Sequence, residues 1–170
     1  MTRAEAADMT DGGALRTPDR LRRRASRLLS QLTMRSDRLI GEGLAEADAR
    51  KWHYAVLASL QEYGPASQAE LSRRSGIYRS DMVGVLNELA ERDLVERSPD
   101  PDDRRRNVIT ISPQGRRRLR SLDGVLDDLH DELLAPLSPE ERDQFVQLLI
   151  RLLDHHTRTS LPPEAERHPA

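Results

Sequence analysis

Residues 94–115 read Leu-Val-Glu-Arg-Ser-Pro-Asp-Pro-Asp-Asp-Arg-Arg-Arg-Asn-Val-Ile-Thr-Ile-Ser-Pro-Gln-Gly, and a stretch of this kind is compatible with few folds. Two β-prone arms, Leu94–Ser98 and Asn107–Ser112, flank a tip that resists strand. Pro99 and Pro101 lack backbone donors, and Asp100, Asp102 and Asp103 favour turns. Arg104, Arg105 and Arg106 follow directly. The stretch predicts a two-stranded ribbon with arginines at its tip. Such a ribbon is either a solvated charged hairpin or a probe suited to a narrow, negative minor groove.

The sequence around the ribbon is helical in period. Met1–Arg16 lacks periodicity and reads as a disordered tail. Thr17-Pro18 opens a first helix, with Thr as N-cap and Pro in the first turn. Leu21, Ala25, Leu28, Leu29, Leu32, Leu39 and Ile40 supply its apolar side, and Gly41 and Gly43 mark its end. A second helix over about 47–63 turns Trp52, Val56, Leu57 and Leu60 inward and stops at Gly64-Pro65. Ser67-Gln-Ala-Glu70 is a capping box that opens a short helix ending at Ser75-Gly76. A helix over about 79–92 follows, with Met82, Val83, Leu86, Leu89 and Ala90 as its apolar side. Beyond the ribbon, Ser112-Pro113 and Ser138-Pro-Glu-Glu141 start two more helices, each with a broad leucine stripe.

This order predicts a mainly α fold with a small two- or three-stranded β-wing. A winged helix-turn-helix lobe occupies 47–112. An N-terminal dimerisation helix (17–46) and C-terminal dimerisation helices (113–158) flank it, with tails at 1–16 and 159–170. The flanking stripes are buried only if the helices pack together, and a homodimer built from both ends of the chain is the economical solution.

Composition narrows the function classes. Of the 170 residues, 36% are hydrophobic and 33% charged, with a formal net charge of -2. That balance does not advertise nucleic-acid binding, but the charges are segregated. Seven arginines and no acid lie between Arg104 and Arg120, whereas eight acids and one base lie between Ser121 and Asp143. The chain has no cysteine, which excludes disulfides and thiol redox chemistry. No apolar run approaches the roughly 20 residues that span a bilayer, and residues 1–13 lack the apolar centre of a secretory signal. No membrane partner and a cytoplasmic location are therefore expected.

A helix-turn-helix places its second helix in the major groove and braces it with the first. On the 79–92 helix, Arg79, Ser80, Asp81, Gly84, Asn87 and Glu88 lie away from the apolar side. Arg79 suits guanine or a phosphate, Ser80 suits several bases, and Asp81 suits cytosine N4. Gly84 leaves room for close approach. Tyr78 either packs over the turn or offers its hydroxyl to a phosphate. Arg73 and Arg74 either touch phosphate or are solvated. In the wing, Arg104, Arg105 and Arg106 are the candidate DNA contacts, and Asp103 would hold an arginine by a charge-assisted bond.

Asp100-Pro-x-Asp103-Arg104-Arg105, then an apolar strand and Ile111-Ser112-x-x-Gly115, resembles the wing signature of the MarR family of bacterial transcription regulators. Gln68-Ala-Glu-Leu71-Ser-Arg-Arg-Ser-Gly76 and Leu89-Ala-Glu-Arg-Asp-Leu-Val-Glu-Arg97 match as well, and the resemblance spans roughly Arg20 to His156. Asp100, Asp103 and Gly115 then read as wing-structuring residues. Ser112 replaces the usual Thr. Asp93 stands where Gly is common, so an unusual backbone conformation is expected there.

The resemblance implies a homodimeric repressor on a pseudo-palindromic double-stranded operator, released when a small aromatic or anionic effector enters a cleft beside the dimerisation helices. Arg35, Arg38, Trp52 and His53 are candidates for lining that cleft, with Trp52 alternatively a core residue and His53 a surface or pH-sensitive group. His155 and His156 face different ways on a helix and make a poor ligand pair, while His53 and His130, distant in sequence, could still meet in space; no metal and no cofactor are expected. No Gly-rich phosphate loop or nucleophile elbow supports an enzyme. The alternative, favoured by the near-neutral net charge, is a winged-helix protein–protein interaction module without DNA binding.

Overall fold

Ten elements follow one another in the computed structural model, which describes residues 18–100 and 107–159. They are α1 (Asp19–Arg22), α2 (Ala25–Glu46), α3 (Lys51–Tyr63), β1 (Ala66–Ser67), α4 (Gln68–Ser75), α5 (Arg79–Glu91), β2 (Val95–Pro99), β3 (Asn107–Ile111), α6 (Pro113–Leu133) and α7 (Pro139–Thr159). The three strands form one antiparallel sheet in the order β1-β3-β2. This is the mainly α winged helix-turn-helix expected from the sequence. No helix among the described residues is long and apolar enough to cross a membrane.

Several boundaries differ from the sequence reading. Thr17 lies outside the described residues. Pro18 stands at the cap of the four-residue α1, and α2 starts separately at Ala25. Gly41 and Gly43 do not end a helix, because α2 continues to Glu46 with Ile40 and Leu44 buried on either side of them. Tertiary packing overrides glycine's weak helix propensity here. Gly43 also has a packing role. A Cβ on it would lie 2.6 Å from Leu129 Cδ1, so the missing side chain lets α2 and α6 approach. Ala47 does not start α3. Residues 47–50 form a corner in which Asp48 takes φ 50°. Pro99 closes β2 opposite Asn107 instead of breaking it. An edge strand tolerates proline because one row of its donors has no partner strand.

Two apolar clusters form the core. One joins α3, α4, α5 and the sheet through Val56, Leu57, Leu71, Met82, Leu86, Leu89 and Ile109. The other joins α2 and α6 through Ile40, Leu44, Leu122 and Leu126. Burying each such side chain contributes roughly 1.5–3 kcal/mol. Tyr54 packs against both clusters and donates its hydroxyl to Asp123 Oδ1 at 3.0 Å. Two inward assignments fail. Trp52 is 47% exposed and Val83 46%, and Val85 is buried in place of Val83. On α7, Val146, Leu148, Ile150, Leu152 and Leu153 are exposed, as are Leu28, Leu29 and Met34 on α2.

Candidate nucleic-acid interface

The helix-turn-helix begins with a complete capping box. Ser67 Oγ accepts from Glu70 N at 3.3 Å, and Glu70 Oε2 accepts from Ser67 N at 2.9 Å. The Ser67 backbone N–H, then its hydroxyl, hold the Glu70 carboxyl below its usual pKa. Ser72 Oγ donates to Ile77 O at 2.5 Å, which bridges the turn between α4 and α5. Met82, Val85, Leu86 and Leu89 anchor α5 to the core. That fixes which side faces outward. Arg79, Ser80, Asp81, Gly84 and Asn87 are all exposed, and Tyr78 is 80% exposed before them.

The outer face is not uniformly unengaged. Asn87 Oδ1 accepts from Arg97 Nη2 at 2.7 Å, so a strand arginine with no local sequence signal bridges α5 to the ribbon. Ser80 Oγ donates to Asp81 Oδ1 at 3.1 Å. Glu88, read from sequence as outward, is only partly exposed. His53 Nε2 lies 2.9 Å from its Oε2 and Arg50 Nη1 3.1 Å from its Oε1. Helical spacing places Glu88 on a face but cannot reveal partners 35 and 38 residues earlier. Arg73 is exposed. Arg74 is exposed as well, 3.9 Å from Glu70 Oε1 and 5.2 Å over the centre of the Tyr63 ring.

Arg104, Arg105, Arg106 and Asp103 lie outside the described residues. Asp100 is half-buried at the end of the ribbon. Gly115 sits at the ribbon's base. It is buried, and a Cβ there would collide with the Leu94 carbonyl oxygen, so no other residue fits without displacing the backbone.

The four residues considered for an effector cleft do not converge. Arg35 and Arg38 line an open groove of about 660 Å³ with Gln31, Met34, Leu39 and Glu42, and Arg38 pairs with Glu42 at 2.9 Å. Neither Trp52 nor His53 lines that groove. His53 is 3% exposed beneath α5. Burial pushes its pKa below the ordinary 6.5. Glu88 opposes that shift, while Arg92 and Arg50 reinforce it. Among the described residues, no group of three potential metal ligands comes together.

Comparison with known proteins agrees with this geometry. A family model described as the MarR family matches residues 52–106. The HTH-type transcriptional repressor NicR of Pseudomonas putida is 25% identical over 138 residues, which cover 81% of this chain and 87% of NicR. A crystal structure of a probable transcriptional regulator from Pseudomonas aeruginosa is 33% identical, with a TM-score of 0.68 over 78% of this chain and 98% of that one. The PcaV transcriptional regulator of Streptomyces coelicolor, solved with its natural ligand, is 28% identical, with a TM-score of 0.67 over 79% of this chain and 94% of PcaV.

Proposed function

The chain belongs to the MarR family of transcriptional regulators, and from that membership we propose that it acts in the cytoplasm as a homodimeric repressor on a pseudo-palindromic operator. The observation that carries this reading is the outward face of α5. Arg79, Ser80, Asp81 and Gly84 project from a helix that the core anchors on its other side. The first turns of such a helix meet base edges, while ribbon arginines and Arg73 meet sugar–phosphate. In this reading Arg79 and Asp81 select sequence, and Arg104, Arg105 and Arg106 set position. The exposed apolar residues of α2 and α7 support the dimer, because a stripe of that size is seldom left in water. The name of NicR supports repression.

Release by a small anionic or aromatic effector is the second half of the proposal. The groove holding Arg35 and Arg38 has a volume in the range of small-molecule sites, roughly 300–1,000 Å³, and carries two cations. The PcaV structure, solved in complex with its natural ligand, supports ligand binding as one part of this reading.

A band-shift assay with the DNA upstream of the chain's own gene tests the DNA-binding half. A shift that Arg79→Ala and the double variant Arg104→Ala/Arg105→Ala weaken is expected. No shift at low salt by dimeric protein would favour a protein–protein module. For the effector, a thermal-shift screen of phenolic and aromatic carboxylic acids is expected to give stabilisation that grows with concentration and is lost in Arg35→Ala.

A further inference from the structure

Asp48, in the corner between α2 and α3, collects bonds from Arg92 at the end of α5 and from Arg118 on α6, which are also joined by Gln114 Nε2 donating to the Arg92 carbonyl oxygen at 3.0 Å. Its carbonyl oxygen accepts from Arg92 Nη1 at 2.8 Å and from Arg118 Nη2 at 3.2 Å. Its carboxylate takes two further bonds from Arg92, at 3.0 and 3.2 Å. Arg118, on α6, also donates to the carbonyl oxygen of Ala47. Arg92 directly follows the last residue of α5, and one turn earlier Glu88 is held by His53 and Arg50 at the start of α3. The Arg50 backbone N–H donates to His53 Nδ1 at 3.3 Å, which leaves Nε2 as the protonated nitrogen facing Glu88. One edge of α5 is thus fastened twice to the corner, and the corner is fastened to the helix that packs on α2.

We propose that this corner positions the DNA-reading helix: the Asp48–Arg92 and His53/Arg50–Glu88 clamps set the angle at which α5 presents Arg79 to Asn87, and Arg118 ties that angle to α6. The proposal rests on the reading of α5 as the base-contacting helix. Glu88, Arg92 and Asp48 are positioning residues and touch no base. Hydrophobic contacts hold α5 in the core but tolerate small rotations. Hydrogen bonds along one edge are directional and do not.

The test compares operator affinity with affinity for unrelated DNA in Arg92→Ala, Glu88→Ala, Glu88→Gln and Asp48→Asn. Asn tolerates the left-handed backbone of position 48, so that variant removes charge without disturbing the turn. Operator binding is expected to weaken at least tenfold in both alanine variants and in the same direction, by a smaller factor, in Asp48→Asn, with unrelated DNA bound within twofold of the unaltered protein. Base contacts depend on angle, whereas phosphate contacts mostly do not. Glu88→Gln, which still accepts from His53, is expected to recover most of the loss. Unchanged operator affinity in the alanine variants overturns the proposal, as does equal loss on both DNAs. If the unaltered protein shifts no DNA, the reading of α5 fails instead. Amide exchange then decides the clamp separately: faster exchange along α5 than along α4 in Glu88→Ala supports it, and no difference refutes it.

Discussion

Ser112 Oγ donates to the carbonyl oxygen of Asp93 at 2.5 Å, and Asp93 itself lies at φ 55°. The same hydroxyl accepts from Gly115 N at 2.9 Å, so one side chain caps α6 and ties down the turn between α5 and β2. Asp93→Gly is expected to raise stability by about 1 kcal/mol or less, since relief of the left-handed conformation exceeds glycine's entropy cost. Ser112→Ala is expected to lower it by about 1–2 kcal/mol. Urea unfolding of the two variants measures both, and a gain in Ser112→Ala would remove this account of the turn.

The buried imidazole gives stability a pH dependence of definite sign. The His53 pKa is held below 6.5 in the folded protein, chiefly by burial. Above pH 6.5 both folded and unfolded chains carry it neutral, and its contribution is constant. As pH falls below 6.5 the unfolded chain binds a proton that the folded one resists, so stability decreases until pH passes the folded value. The melting temperature is expected to drop between pH 7.5 and 5.5, and His53→Gln is expected to flatten that drop. An identical slope in the variant would assign the effect to other groups.

Salt dependence separates positioning from reading. Arg73→Ala is expected to weaken binding to every sequence and to reduce the slope of log affinity against log salt by about one. Arg79→Ala is expected to cost about 1–3 kcal/mol on the operator and to relax sequence preference at one base pair. Titrations of operator and scrambled DNA at several salt concentrations distinguish the two patterns.

Assembly is the fourth expectation. Leu153 is 66% exposed on α7, among other exposed apolar residues of that helix. A carboxylate there is incompatible with an apolar interface, so Leu153→Asp is expected to sediment as a monomer. Its operator affinity is expected to fall at least a hundredfold, because two half-sites are no longer engaged together. A dimeric Leu153→Asp would place the interface elsewhere.

Much of the lobe was legible because its signals are local. The boxes at Ser67 and Ser138 and the cap at Ser112 each depend on residues three positions apart, and all three form. The outward set from Arg79 to Asn87 follows from helical period once Met82 and Leu86 are assigned inward. Where two adjacent residues compete for the core, period alone leaves the phase open. Helical period fits Trp52 inward equally well, yet His53 holds that place, where Glu88 gives its ring a partner. Gly41 and Gly43 read as a stop because glycine usually is one, and Leu129, which needs the space, lies far along the chain. β1 was equally hidden. One residue after a proline and the first residue of a capping box carry no strand signal, and their partners are more than forty residues away.

That small strand has a consequence for transplanting the reading head. Ala66 and Ser67 pair with Ile109 and Val108, and Ser67 is also the cap of α4. The central strand of the ribbon is therefore stitched to the residue that starts the helix pair. Moving α5 alone into a relative would carry over its outward side chains but not the backbone that aims them. The smallest unit that can be exchanged intact runs from the strand before α4 through the end of β3, and a chimera cut inside it would inherit a vocabulary without its grammar.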